Sequence, residues 1–234
     1  VSKKGITSHL ENAHEIVVPN TLEALENLAK NHRERFSCPV IAITGSNGKT
    51  TVKEWLSELL SSTYNIAKSP KSYNSRLGIA LSLLELSEQT EIGIIEAGVD
   101  EMILKRNLIQ PTHGILTSFG SAHKELFTSQ ENHFNEKMAL FEGIDHFSYI
   151  LTDEQNLQFS RFLKKGKRVN PSEFSALLKS FPSKDQIGIQ NASLAISMAL
   201  ELGVSQEKLV SNIKNLSPLA LRLESYEGVN GNVI

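Results

Sequence analysis

The chain has 234 residues, 40% of them hydrophobic and 21% charged, with a formal net charge of −2. These are the proportions of a globular protein, and the near-neutral charge removes the electrostatic footprint of a nucleic-acid binder. No apolar run approaches the ~20 residues of a membrane span, and the single cysteine, Cys38, excludes an internal disulfide and fits a reducing, cytoplasmic setting.

Residues 1–20 are polar and irregular apart from a short strand expected at Glu15–Val18. Asn20 or Thr21 can cap a helix that carries Leu22, Leu25 and Leu28 on one face and ends near Arg35. Pro39–Ile43 reads as a buried strand. After it come Thr44-Gly45-Ser46-Asn47-Gly48-Lys49-Thr50-Thr51, and then Val52, Trp55, Leu56, Leu59 and Leu60 at the spacing of one helical face. A strand, a loop of small residues and a helix opening on lysine and threonine together make a phosphate cradle. Glycines let backbone N–H groups converge on an anion, and the helix N-terminus adds partial positive charge. Lys49 can reach the terminal phosphates, and the Thr50 hydroxyl can hold Mg²⁺. The generic phosphate loop has a glycine where Ile43 stands here, so this loop is a variant.

Further along, a strand is expected at Tyr64–Ala67, a polar loop at Ser69–Ser75 and a helix at Leu77–Leu86. Glu91–Ile95 is a strand that ends on Glu96-Ala97-Gly98. A helix over Glu101–Ile109 stops before Pro111, and His113–Thr117 is a strand leading into Ser118–His123. A helix over Ser129–Ile144 and a strand at Ser148–Thr152 follow. Asp153–Lys184 reads as mixed loop, with a short strand around Arg168-Val169 and a helix near Ser172–Lys179. Helices at Gln190–Leu202 and Ser205–Leu216 flank Gly203, a C-cap signal. Alternation of strands and helices predicts an α/β fold, a mostly parallel sheet with helices on both faces. Ligands in such sheets bind beyond the carboxyl ends of the strands. The phosphate loop, Glu96 and His123 all fall there.

Glu96 is placed either to bind a metal or to end as a solvated carboxylate before a glycine turn. His123 is a lone histidine in a small-residue loop, and a lone histidine is more often structural. His9, His14 and His32 share no metal-ligand spacing and read as surface residues. Lys137 lies on the flank of the apolar stripe defined by Phe134, Met138 and Phe141, on the same side as Ile144. Its amine either snorkels outward or is paired or modified, and His133 on the same flank is a local partner for it.

The loop Thr44–Thr51 resembles that of the Mur ligases, the ATP-dependent amide-forming enzymes of peptidoglycan precursor assembly. Asn74 and Ser75 with Leu77-Gly78 resemble the family's asparagine loop, Glu96-Ala97-Gly98 its acidic metal site, and Ala122-His123 its second magnesium ligand. Lys137, four residues before Phe141, resembles the lysine that the family carbamylates. Asn191 with Ala192–Ala195 resembles the helix that contacts adenine, and Leu221-Arg222-Leu223-Glu224 the arginine motif closing the central domain. Two positions depart from the pattern: Ser118 and Gly188 stand where asparagines are usual. The runs Thr21–Leu25, Val40–Thr51 and Lys53-Glu54 are closest to the family members that add D-alanyl-D-alanine. Ser69–Gly78 and Pro111–His123 are closest to a form fused to alanine racemase.

This resemblance implies a P-loop central domain over residues 37–224, which binds ATP. Residues 1–36 would be the tail of a UDP-substrate domain with its connecting helix, and residues 225–234 a linker to a C-terminal domain. It implies ATP and two Mg²⁺ sites, built from Thr50, Glu96, His123 and carbamylated Lys137, with Asn191 and Arg222 at the base and ribose. It implies a UDP-linked muramoyl tripeptide and D-Ala-D-Ala as substrates, joined through an acyl phosphate. The other readings are a folylpolyglutamate synthase-like ligase and a non-ligase P-loop ATPase or switch. The chain opens on Val1 as an excised piece would. The resemblance places the UDP site and further ATP and acceptor contacts in flanking domains that do not appear complete here, so the piece alone is expected to fold, to bind ATP weakly and not to ligate.

Overall fold

The computed structural model describes residues 16–98, 101–120 and 129–217. Six strands form one all-parallel sheet: β1 (Val40–Thr44), β2 (Ile66–Lys68), β3 (Ile92–Glu96), β4 (His113–Leu116), β5 (His146–Tyr149) and β6 (Gly166–Arg168). Their order is β2-β3-β1-β4-β5-β6, so β1 is central and the chain reverses its direction of growth beside it. β1 reads Val-Ile-Ala-Ile-Thr and is buried throughout. Val40 and Ala42 point into one core, while Ile41 and Ile43 point into the other. A strand covered on both faces has no polar side to show, which is why this stretch is a continuous apolar run rather than an alternation.

Helices cover both faces as expected. On one side lie α1 (Thr21–Arg33), α3 (Arg76–Leu84), α4 (Met102–Ile109) and α5 (Gln130–Met138), and on the other α2 (Lys49–Ser61), α7 (Gln186–Glu201) and α8 (Gln206–Ile213). The short α6 (Asp153–Gln158) follows β5. Asn20 caps α1, accepting from the amides of Leu22 and Glu23. The far end of α1 is tied down by Arg33, a buried guanidinium that donates to the carbonyls of Ile109, Phe36 and Gln110. Cys38 is half-buried just before β1, and His32 is half-buried too, with Nε2 2.8 Å from the Leu86 carbonyl.

Several boundaries differ from expectation. The fifth strand spans His146–Tyr149, not Ser148–Thr152, because pairing with β4 starts at His113↔His146 and Thr152 is taken up as the cap of α6. That helix was expected as loop. Its capping box between Thr152 and Gln155 is a legible signal, since the threonine accepts from the Gln155 amide and the glutamine reaches back. The expected helix at Ser172–Lys179 is two 3₁₀ turns, Pro171–Phe174 and Leu177–Ser180. The expected Ser129–Ile144 helix ends at Met138 and tightens into a 3₁₀ turn over Ala139–Phe141. α7 starts four residues early, at Gln186, because Asp185 caps it by accepting from Gly188 N at 2.7 Å. A side chain at Gly188 would press into that cap, with a Cβ 2.7 Å from Asp185 Oδ2. Residues expected at Glu15, His9, His14 and 225–234 lie outside the described residues.

Candidate functional site

The loop between β1 and α2 is shaped by its neighbours. Gly45 and Gly48 have φ of +145° and +84°, conformations that L side chains rarely adopt. Space excludes side chains as well. A Cβ on Gly45 would collide with Thr117 Oγ1, and one on Gly48 would sit 2.5 Å from Asn191 Oδ1. The segment after β4 clamps the loop backbone: Ser46 N donates to Ser118 O at 3.0 Å, and Asn47 N to Ser118 Oγ at 2.9 Å. Thr117 Oγ1 donates to Asn47 O at 2.5 Å and Gly120 N to Ser46 Oγ at 3.0 Å. Ser118, a departure from the resembling pattern, is thus part of what holds the loop in shape.

Beyond Gly48, Lys49 and Thr50 open α2, where the first-turn amides and the helix dipole favour an anion. Lys49 folds back over the loop, with Nζ 2.9 Å from Gly45 O. The Thr51 side chain is buried beside Thr50.

The acid sits next to this loop. Glu96 ends β3, which pairs directly with β1, and the register Ile43↔Glu96 brings it level with the loop. It is 1% exposed, and each carboxylate oxygen has a partner. Thr50 Oγ1 donates to Oε2 at 2.9 Å, and Asn74 Nδ2 to Oε1 at 3.0 Å. Ser72 Oγ lies 3.2 Å from Thr50 Oγ1. The donors that converge here are carboxylate and hydroxyl oxygens, which suit a hard cation such as Mg²⁺. Ser75 is committed to structure: its hydroxyl caps α3 by accepting from Gly78 N at 3.2 Å.

Sequence reading did not foresee what supports Asn74 and Ser72. Lys53, on α2, is fully buried and its ammonium donates to the carbonyls of Ser69 (2.7 Å) and Lys71, with Glu54 3.0 Å away. Ser69 Oγ in turn accepts from Glu96 N at 3.1 Å. A buried ammonium is tolerated only when its donors are matched, and these matches pin the loop 69–75 against the helix that carries Thr50. Lys105 on α4 is likewise fully buried, and its Nζ lies 3.5 Å from where a Cβ on Gly98 would be.

Lys137 is the third buried lysine. α5 presents His133, Phe134, Lys137 and Met138 inward, fastened by Phe119, whose ring meets His133, Phe134 and Phe159 at 5.0–5.1 Å. Lys137 is 0% exposed, so it does not snorkel, and among the described residues nothing hydrogen-bonds to its Nζ, His133 included. Burial, then repulsion from Lys49 and Lys105, lowers its pKa from 10.5 to about 7. Lys137 therefore lies within electrostatic reach of Lys49 at the phosphate loop and of Lys105 on α4. Asn191, on α7, packs its amide over Gly48 at the mouth of the loop. His123 and Arg222 lie outside the described residues.

Comparison with known proteins agrees with this fold. The sequence profile of the Mur ligase middle domain matches residues 43–201. The UDP-N-acetylmuramoyl-tripeptide–D-alanyl-D-alanine ligase of Bacillus subtilis (strain 168) is 28% identical, over 97% of this chain and 55% of its own length. Among solved structures, MurF from Acinetobacter baumannii superposes with a TM-score of 0.77 at 24% identity, over 92% of this chain and 54% of its own. The MurF ligase of Thermotoga maritima in complex with ADP gives 0.66 at 22% identity, over 86% and 55%. The chain thus spans about half the length of the relatives it matches.

Proposed function

Since the chain belongs to the Mur ligase family through its middle domain, we propose that it is the ATP-binding part of a cytoplasmic ligase that joins UDP-N-acetylmuramoyl-tripeptide to D-alanyl-D-alanine. The observation that carries this reading is a phosphate loop whose threonine is hydrogen-bonded to a buried glutamate and whose lysine is coupled to a buried amine with no hydrogen-bond partner among the described residues. Support for the substrates comes from the name of the Bacillus subtilis relative, and support for the nucleotide from the ADP in the Thermotoga maritima protein. On this reading residues 37–224 form the central domain, and domains before and after it in the same protein supply the UDP site and further acceptor contacts.

The physical obstacle is a peptide carboxylate attacking the γ-phosphate of a polyanion, so catalysis rests on charge neutralisation and positioning. The backbone amides of residues 45–51 and the Lys49 ammonium take up the β- and γ-phosphates. Thr50 and Glu96 would hold one Mg²⁺ and His123 with Lys137 a second, and these ions would supply Lewis-acid neutralisation of the phosphates and the attacking carboxylate. Asn74 orients Glu96, while Asn191 and Arg222 contact base and ribose.

As an ammonium, Lys137 would repel a cation. With a pKa of about 7, about half of its amine is unprotonated at neutral pH and available as a nucleophile toward CO₂. The new N–C bond gives a carbamate and releases one proton. The positive charges of Lys49 and Lys105 that disfavour the ammonium favour that anion.

The test is phosphate release from ATP by the complete protein. Release that requires both the tripeptide substrate and D-Ala-D-Ala, and is lost in Lys49→Ala together with ATP affinity, is the expected result. Release without an amine acceptor would make the protein an ATPase or switch, and turnover with a folate and glutamate instead would make it a folylpolyglutamate synthase. The 234-residue chain alone is expected to bind ATP weakly and to form no product.

A further inference from the structure

At the opposite end of the sheet from the phosphate loop, three metal-ligating side chains meet. His113 opens β4 and His146 opens β5, and the parallel register pairs the two residues directly. Register partners on adjacent strands point to the same face, and the two rings lie 5.3 Å apart between centroids. Glu201, at the end of α7, reaches them from the helical layer, with Oε1 3.1 Å from His146 Nδ1. One ligand atom from each of the three lies within 4.8 Å of the others. His113 Nδ1 is 2.8 Å from Thr112 Oγ1. That is the outer contact which orients a metal-binding imidazole and leaves its second nitrogen for an ion.

We propose that His113, His146 and Glu201 form a binding site for a transition-metal ion of the zinc type, with a fourth position open to water. Two imidazoles and a carboxylate match the ligand preferences of Zn²⁺ and its neighbours better than those of Mg²⁺. Zinc bonds of ~2.0–2.2 Å need donors roughly 3.3 Å apart, so the cluster must tighten by about 1.5 Å at its widest. His146, whose side chain is 62% exposed, can make that adjustment by rotamer change. Half-buried His113 is held below its ordinary range by burial, with the Glu201 carboxylate pulling the other way. The nearby Lys165 ammonium is already paired with Asp145. A bound ion would tie β4, β5 and α7 together at their shared edge. Strands of four or five residues at ~3.3 Å each put this edge roughly 15 Å from the phosphate loop, so the site is separate from the one above.

The experiment uses the 234-residue chain without a polyhistidine tag, titrated with Co²⁺ as a spectroscopic probe and then with Zn²⁺. A Co²⁺ absorption band that saturates at one equivalent and is displaced by Zn²⁺ is expected. His146→Ala and Glu201→Gln should each weaken binding by about tenfold or more, the scale set by loss of outer contacts alone. Both keep their circular dichroism, and Glu96→Gln keeps the band. No band, or a band lost in Glu96→Gln and kept in His146→Ala, overturns the proposal. The cluster is then only a hydrogen-bonded His146–Glu201 pair with a histidine beside it.

Discussion

Replacing Lys137 by methionine removes an amine that the fold holds away from water, and the consequence for stability can be worked out with its sign. The folded pKa is about 7 against 10.5 for the ordinary side chain. At about 1.4 kcal/mol per pH unit, that difference corresponds to roughly 5 kcal/mol. Between pH 7 and 10.5 the unfolded chain binds more protons at this site than the native one, so wild-type stability rises with pH through that window. Below pH 7 both states are protonated and the full penalty applies. Above 10.5 it vanishes.

Methionine keeps the unbranched shape and carries no charge. Lys137→Met should therefore be more stable than the uncarbamylated wild type by about 3–5 kcal/mol at pH 6, with the gap closing towards pH 10. Taking the difference between the two proteins removes the contribution of His133 one turn away, which both share. The assay is urea unfolding of the two in CO₂-free buffer at pH 6, 8 and 9.5, repeated with bicarbonate at pH 8. Carbamylation of the native amine should stabilise only the wild type, by mass action. A stability difference independent of pH would refute the burial argument, and an equal effect of bicarbonate on both proteins would refute the carbamate.

At the loop, Gly48→Ala forces a side chain into a left-handed position 2.5 Å from Asn191 Oδ1. It should cost about 1–3 kcal/mol in urea unfolding and weaken ATP binding in a titration; full stability with unchanged ATP affinity would show that the loop conformation is not constrained as described. Lys53→Met leaves the Ser69 and Lys71 carbonyls without their donor, at a cost of about 1–3 kcal/mol. Amide exchange in residues 69–75 should accelerate, and nucleotide binding should need more Mg²⁺, because Asn74 and Ser72 lose their support. Unchanged exchange in that segment would mean that Lys53 does not hold it.

The phosphate loop was legible because its parts are local. An apolar strand, two glycines and an amphipathic helix lie within about twenty residues, and each follows from backbone and burial rules that act at short range. Helix α1 with its Asn20 cap, the run of strands and the parallel α/β class were readable for the same reason. β5 was misplaced because its limits come from pairing with β4, and the apolar run Tyr149-Ile150-Leu151 pulled the reading towards its carboxyl side. α6 was readable from Thr152 and Gln155, but the weak hydrophobic pattern around them obscured it.

From the residues alone, the sequence determined that a loop of small residues with the pattern of a phosphate cradle would join β1 to α2, and that Lys137 stood oddly on its helix. Only the tertiary structure decided that Thr50, Asn74 and Glu96 meet, that Lys53 holds the loop carrying Asn74, and that Lys137 is fully buried within reach of two other lysines. Likewise His113, His146 and Glu201 come together through strand register and the end of a helix 55 residues away. These contacts join segments that are far apart in the chain, and their chemistry depends on burial and on summed charge. Neither quantity exists until the sheet is closed on both faces.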